Sequence, residues 1–172
     1  MGLDIIFDNY AAGKQTFIIP MIFPDISVAE SITTRIGYEG DMWELRVDLL
    51  SPGPAPLGNT NLPTLDYVRG QIQALQRMNP LQIAGGGDIV KLSILSTSLE
   101  DCHELGLFVR DHATKSQKSL LAVGMGALGQ LSRITSPSSP VTHSLVPFAS
   151  APSQLIVDIP RLAWYGIHEE CT

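Results

Sequence analysis

Gly87-Asp-Ile-Val-Lys-Leu-Ser-Ile-Leu-Ser96 is an apolar run with one cation, Lys91, at its centre, and its reading decides the fold. A run of this length, rich in β-branched and aliphatic residues and preceded by glycines, predicts a strand of a mostly parallel sheet. Lys91 admits two readings. Inside a buried strand it sheds hydration and becomes an amine able to attack a carbonyl and form a Schiff base. On the solvent side of a strand it extends its ammonium into water as an ordinary surface lysine.

Working outward, Gln15-Thr-Phe-Ile-Ile-Pro-Met-Ile-Phe23 predicts a second buried strand, with Pro20 placing it at a sheet edge or a bulge. Ser27 with Glu30 forms a capping box for a helix ending near Gly37. Over 41–50 the alternation predicts a strand with Glu44, Arg46 and Asp48 on one face and Trp43, Leu45, Val47 and Leu49 on the other. Three charges on one face require a polar cavity, or water and a mutual ion pair. Beyond a proline- and glycine-rich loop over 51–63, Leu65, Val68, Ile72 and Leu75 recur at helical spacing, with Thr64 as N-cap and an end near Met78. A cut-off strand over 80–84 runs into Gly85-Gly-Gly87, which reads as a joint. Then come a helix over 99–112, a strand over 119–126, a short helix over 126–134, a short strand over 141–146 and a last helix opening at Pro152 or Ser153.

Alternation of strands and helices predicts an α/β fold with parallel strands, either a barrel or a doubly wound sheet. Gly124-Met-Gly-Ala-Leu-Gly129 matches a dinucleotide fingerprint only superficially, since it follows a late strand and has no acidic residue about 20 positions on. The 172 residues fit one domain, 1–172. A net charge of −6 with 11 scattered basic residues excludes a nucleic-acid surface. No apolar run is long enough to span a bilayer, and Met1-Gly-Leu-Asp4 opens neither a signal peptide nor a myristoylation site, so no membrane role is expected. Cys102 and Cys171 lie far apart, which suits free thiols in the cytoplasm or nucleus. Neither Cys102-His103-Glu104 nor His168-Glu-Glu-Cys171 has metal-ligand spacing, so no metal or other cofactor is expected.

Five segments occur in a telling order: Glu44-Leu-Arg-Val-Asp48, Asp88-Ile-Val-Lys91, Met125-Gly-Ala-Leu-Gly-Gln-Leu-Ser-Arg133, Pro140-Val-Thr-His143 and Ser150-Ala-Pro-Ser-Gln154, together with Phe23-Pro-Asp25. In this order and strand context the chain resembles the type I 3-dehydroquinate dehydratases. The resemblance implies a (β/α)8 barrel in which a lysine forms a Schiff base with the substrate ketone. It puts Lys91 at the Schiff-base position, Glu44 and Arg46 in the pocket, Arg133 on the substrate carboxylate, and Ser150 and Gln154 in the loop closing the site.

The departures from that family are as specific. A barrel of this class takes about 250 residues, and the interval from Arg46 to Lys91 holds one helix and a stub. About three central β/α units, a second pocket glutamate and the proton-moving histidine are missing at the Gly85-Gly87 joint, an internal deletion or splice near 84–87. His103, His112, His143 and His168 lie in none of the motifs that carry that base, and His143 reads as structural. Pro20 stands where bacterial members have a pocket serine, and Ser153 replaces a glycine. Loss of a proton shuttle alone removes about 10²–10⁴-fold in rate.

The chain therefore resembles most the dehydroquinase-like domain of the fungal quinate repressors, relatives of the aromatic-pathway multienzyme. That implies a non-catalytic domain that senses 3-dehydroquinate, 3-dehydroshikimate or quinate, or binds a transcription activator protein, without direct DNA binding. The alternative is a truncated type I dehydratase converting 3-dehydroquinate to 3-dehydroshikimate. Five strands and a stub leave sheet edges open, and open edges predict a homodimer or larger homo-oligomer.

Overall fold

The computed structural model describes residues 5–37, 39–51, 63–78, 89–115, 119–146 and 154–156. In chain order these form α1 (Ile5–Ala11), β1 (Thr16–Met21), a 3-10 turn (Ile26–Ala29), α2 (Glu30–Ile36), β2 (Met42–Leu45), a second 3-10 turn (Val47–Leu49), α3 (Leu65–Met78), β3 (Ile89–Leu95), α4 (Leu99–Lys115), β4 (Ser119–Met125), α5 (Gln130–Thr135) and β5 (Ser138–Pro140). Every strand pairing among the described residues is parallel, as the alternation predicts. The strands fall into two sheets, ordered β2-β1-β5 and β3-β4, and β4 lies against β5 where the sheets meet.

All six residues of β1 are buried, which explains its unbroken apolar run. Phe17, Ile19 and Met21 point to a core shared with Trp43, Ile36, Ala74 and Leu75, so α2 and α3 cover that face. Ile18 points the other way. It joins Met42, Leu121, Val123 and Ile6 of α1 in a second cluster that spans both sheets. A third cluster, Leu105, Val109, Leu120 and Ala122 with Leu92 and Ile94, packs α4 on the outer face of β3 and β4.

Several expectations from the sequence are corrected. β1 is the central strand of its sheet, yet Pro20 sits within it. The reason is local. In a parallel strand one residue aims its N–H and C=O at the same neighbour, and the Ile18 carbonyl accepts from Val141 on the β5 side. Pro20 therefore faces that side too, two residues beyond the last β5 pairing at Ile18, and its missing donor breaks no ladder bond.

The helical segment after β1 is capped by Asp25, whose carboxylate accepts from the Ser27 backbone N–H at 2.9 Å. Ser27 lies inside the 3-10 turn and α2 proper starts at Glu30, while the end at Gly37 is as expected. β2 stops at Leu45 instead of reaching 50. Thr64 accepts from the Tyr67 N–H at 3.3 Å and caps α3, but Leu65 is exposed and the buried stripe is Gln71, Ala74 and Leu75. The last strand is 138–140 rather than 141–146, with a single bridge from Thr142 to Ile156. Gln154, Leu155 and Ile156 are accordingly not helical. The stub strand, the glycine joint, Ser150 and most of the last helix lie outside the described residues.

The glycine-rich turn after β4 has a packing role. Gly126 adopts φ +84, and the backbones of Gly124 and Gly129 approach so closely that a Cβ on Gly129 meets the Gly124 carbonyl carbon at 2.5 Å. Ser132 stitches the same turn, accepting from the Gly124 N–H at 2.8 Å and donating to the Gly129 carbonyl at 2.7 Å. Gly129→Ala is therefore expected to cost about 1–3 kcal/mol, measured from the urea midpoint. Gly106→Ala, in an open position of α4, is expected to stabilise by about 0.5–1 kcal/mol. Equal midpoints for the two variants would show that the close approach is unimportant.

Candidate functional site

β2 and β3 bring the first two predicted site residues together. In the β1–β2 register Glu44 lies opposite Pro20 and shares the face of Ile18 and Met42. In the β3–β4 register Lys91 lies opposite Leu121, on the face turned away from α4. From these two sheets the side chains meet: Lys91 Nζ donates to Glu44 Oε1 at 2.6 Å and to Oε2 at 2.8 Å. Neither is deeply buried, with side-chain exposures of 39% and 23%. Lys91 is thus neither a dry, isolated amine nor a lone surface lysine. It is a partly solvated ammonium held by a carboxylate from the other sheet.

Arg46 follows Glu44 just past the end of β2, where the backbone leaves the extended conformation for the 3-10 turn. That turn lets the guanidinium fold onto Asp48, with Nε donating to Oδ1 at 2.8 Å and a terminal nitrogen to Oδ2 at 2.6 Å. The Arg46 hydrogen bond holds the Asp48 carboxyl below its ordinary range; partial burial opposes this, and the charges of Arg46 and Lys91 add to it. The Asp48 hydrogen bond likewise raises Arg46, against burial, with the charges of Asp48 and Glu44 adding. Glu44 of β2, Arg46 and Asp48 beyond its end, and Lys91 of β3 are therefore charges of alternating sign that act on one another.

Arg133 takes no part in these bonds. It is among the most buried side chains in the structure, on α5, and burial depresses its pKa. One terminal nitrogen donates to the Pro140 carbonyl at 3.1 Å, while Nε has no partner among the described residues. The position itself is firmly built. The Gln15 side-chain amide donates to the carbonyls of Arg133 at 3.0 Å and Ser136 at 2.6 Å, pinning the end of α5 to the start of β1. Gln154 Nε2 is a second buried donor without a partner among the described residues. Ser150 lies outside the described residues.

His143, expected from its motif to be structural, is packed inside the fold. Its ring is buried, Nδ1 accepts from the Leu145 N–H at 3.0 Å and Nε2 faces Glu39 Oε2 at 2.7 Å. His103 and His112 belong to α4, which packs on the opposite face of β3 from Lys91. Sequence reasoning missed Glu39 as the partner of His143, because their separation of about a hundred residues leaves no local signal. Among the described residues no group of three His, Cys, Asp or Glu side chains is placed to hold a metal, and no helix is long and apolar enough to cross a membrane.

The family model described as type I 3-dehydroquinase matches residues 76–162, which include Lys91, Arg133 and Gln154. The chain belongs to the type I 3-dehydroquinase family. The pentafunctional AROM polypeptide of Mycosarcoma maydis is 24% identical over 237 residues, covering 88% of this chain and 14% of that polypeptide. The AROM polypeptide of Schizosaccharomyces japonicus is 38% identical over 72 residues, covering 41% of this chain and 4% of its own length. The chain thus spans about one-seventh or less of these curated relatives.

Among solved structures, the dehydroquinate dehydratase and shikimate dehydrogenase from S. pombe AroM superposes with a TM-score of 0.70 at 19% identity, over 95% of this chain and 46% of that one. The 3-dehydroquinate dehydratase of Geobacillus kaustophilus gives 0.63 at 16% identity, over 91% and 92%. These likenesses establish an α/β fold similar to the barrel of the type I dehydroquinases.

The Arg46–Asp48 pair makes an acid-dependence prediction. Asp48 is depressed in the folded protein, so its contribution is complete above its ordinary value of 3.8 and is lost as pH falls through the lower folded-state value. The pair is partly exposed, at 30% and 56%, so its worth is about 0–1 kcal/mol. Asp48→Asn is expected to be less stable than the parent by that amount at pH 7, and the gap in urea midpoints should close below pH 3.8. A gap that persists in strong acid would assign the effect to packing instead.

Proposed function

We propose that this chain is a non-catalytic dehydroquinase-like domain that holds a small carboxylate metabolite of the quinate or shikimate pathway. Arg133 carries the reading. A guanidinium this deeply buried, with a backbone carbonyl but no carboxylate among its described partners, has an unsatisfied demand for an anion. A carboxylate fits the planar fork of its donors, and Gln154 offers a second buried donor from the loop matched by motif.

Binding is favoured over turnover by the surroundings of Lys91. Schiff-base formation needs an amine with a free lone pair and a group to move protons. Lys91 instead gives its ammonium to both Glu44 oxygens, and the described histidines are engaged elsewhere or lie on α4. The domain is an incomplete barrel of this family. The alignment with the Mycosarcoma maydis relative runs over 237 positions, more than the 172 residues of this chain, which supports a loss within the aligned stretch. The setting proposed is a transcription repressor of quinate use in the cytoplasm or nucleus, where the domain senses the metabolite and engages an activator protein. This setting rests on the motif resemblance.

The second reading, a truncated dehydratase, draws on the match of the family model through Lys91 and Arg133. One experiment separates the two. The protein is incubated with 3-dehydroquinate, with and without borohydride, while 3-dehydroshikimate is followed by absorbance and Lys91 by peptide mass; calorimetry measures binding. We expect binding with no product, and affinity reduced at least tenfold in Arg133→Lys, which keeps the charge but loses the fork. Product formation together with a reduced adduct on Lys91 would install the dehydratase reading, and absence of binding would remove the metabolite from the proposal.

A further inference from the structure

β3 is paired on one side only among the described residues. The direction of its free groups follows from one bond. Ser96 N–H donates to the Met125 carbonyl at 3.1 Å, so residue 96 faces β4. In a parallel strand alternate residues face alternate sides. Residues 92 and 94 therefore also face β4, and the N–H and C=O groups of Lys91, Ser93 and Leu95 point to the open edge.

Beside that edge runs a groove of about 430 Å³, with Leu92, Ile94, Leu95, Leu105 and Phe108 forming its apolar part and Asp101 and Glu104 its polar part. Leu95 is 67% exposed and Phe108 50%, unusual exposure for residues flanking a strand. Asp101, Glu104, Leu105 and Phe108 fall on one stripe of α4. Among the described residues no lysine or arginine lines the groove. Asp101 is held in its charged form by the backbone N–H groups of Thr97 and Ser98, with the Thr97 hydroxyl adding. Glu104 is exposed. The groove is thus apolar at its floor, negative at its rim and bordered by backbone donors and acceptors that have no partner among the described residues.

We propose that the β3 edge and this groove form a docking site for an extended segment of a partner protein that carries apolar residues together with lysine or arginine. Such a segment adds as a strand to β3, its main chain taking the bonds offered at Lys91, Ser93 and Leu95. Its apolar side chains cover Leu92, Ile94 and Phe108, and its cations meet Asp101 and Glu104. A second copy of this chain is a poorer occupant, because two-fold pairing of β3 with itself sets the two acidic rims side by side. The site is on the opposite face of β3 from the Lys91–Glu44 pair and does not depend on the metabolite reading.

The probe is a capped peptide of valine and lysine as long as the seven residues of β3, with a valine–glutamate peptide as control. Binding to the full chain is measured by calorimetry, and the site by amide hydrogen exchange. We expect saturable one-to-one binding of the lysine peptide, slowed exchange at Lys91, Ser93 and Leu95, and affinity lowered about three- to tenfold by Glu104→Lys. Ser93→Pro, which removes an edge donor without touching the β4 ladder, should abolish the slowed exchange. Absence of binding, equal binding of the glutamate peptide, or affinity unaltered in Glu104→Lys overturns the proposal. So does a concentration-dependent dimer in sedimentation that Ser93→Pro dissociates, which would give the edge to a second copy.

Discussion

What joins the two sheets is the apolar cluster of Ile18, Met42, Leu121 and Val123, closed over by Ile6 of α1. Each of these side chains is buried and contributes about 1.5–3 kcal/mol relative to exposure. The Lys91–Glu44 ion pair crosses between the same sheets, but it is partly solvated, and pairs of that kind contribute about 0–1 kcal/mol. The magnitudes separate the roles. Apolar contact positions β2 and β3, and the ion pair takes the geometry that contact provides. The ion pair is therefore not what clasps the sheets together.

The placement of α1 follows from the same constraint. A parallel sheet is buried on both faces, and β1 meets that demand with helices α2 and α3 on one side. On the other side Ile18 and Met42 need a cover, which comes from β4 of the second sheet and from Ile6. Asn9 of α1 also donates to the Thr16 hydroxyl at 3.0 Å, fixing the helix at the start of β1. The exposed groove beside β3 is the place where this covering fails. Leu92 and Ile94 have α4 over them, but nothing among the described residues pairs with the edge, and Leu95 and Phe108 stay open to solvent.

Legibility in the sequence depended on whether the deciding interaction was local. The extent of α3 could be read because its cap and its periodicity lie within one segment. β1, β3 and β4 were legible as apolar runs between turn residues. The face chosen by α3 was less so, since Gln71 is buried by bonds to Ile26 and Asp25, more than forty residues away. Pro20 misled for a related reason: its tolerance is set by where β5 stops, which no pattern around Pro20 records. α1 was missed because seven residues with two isoleucines present too short a pattern for periodicity to register.

The site shows the same division. Composition and spacing alone left Lys91 undecided between a reactive amine and a surface cation, and its structure is a third state, set by a glutamate 47 positions earlier. Glu44, Arg46 and Asp48 were correctly grouped as needing polar company, but their partners could not be assigned by alternation once β2 gave way to a turn after Leu45. Glu44 engages the Lys91 side chain through both oxygens, and Asp48 occupies the Arg46 fork. Those two carboxylates pair with two of the three predicted cations, and Arg133 is the one whose side chain meets only a carbonyl among the described residues. In the proposed reading, selectivity for an anion falls to the most deeply buried of the three, where a low local dielectric makes each hydrogen bond to charge stronger than it is at Lys91 or Arg46.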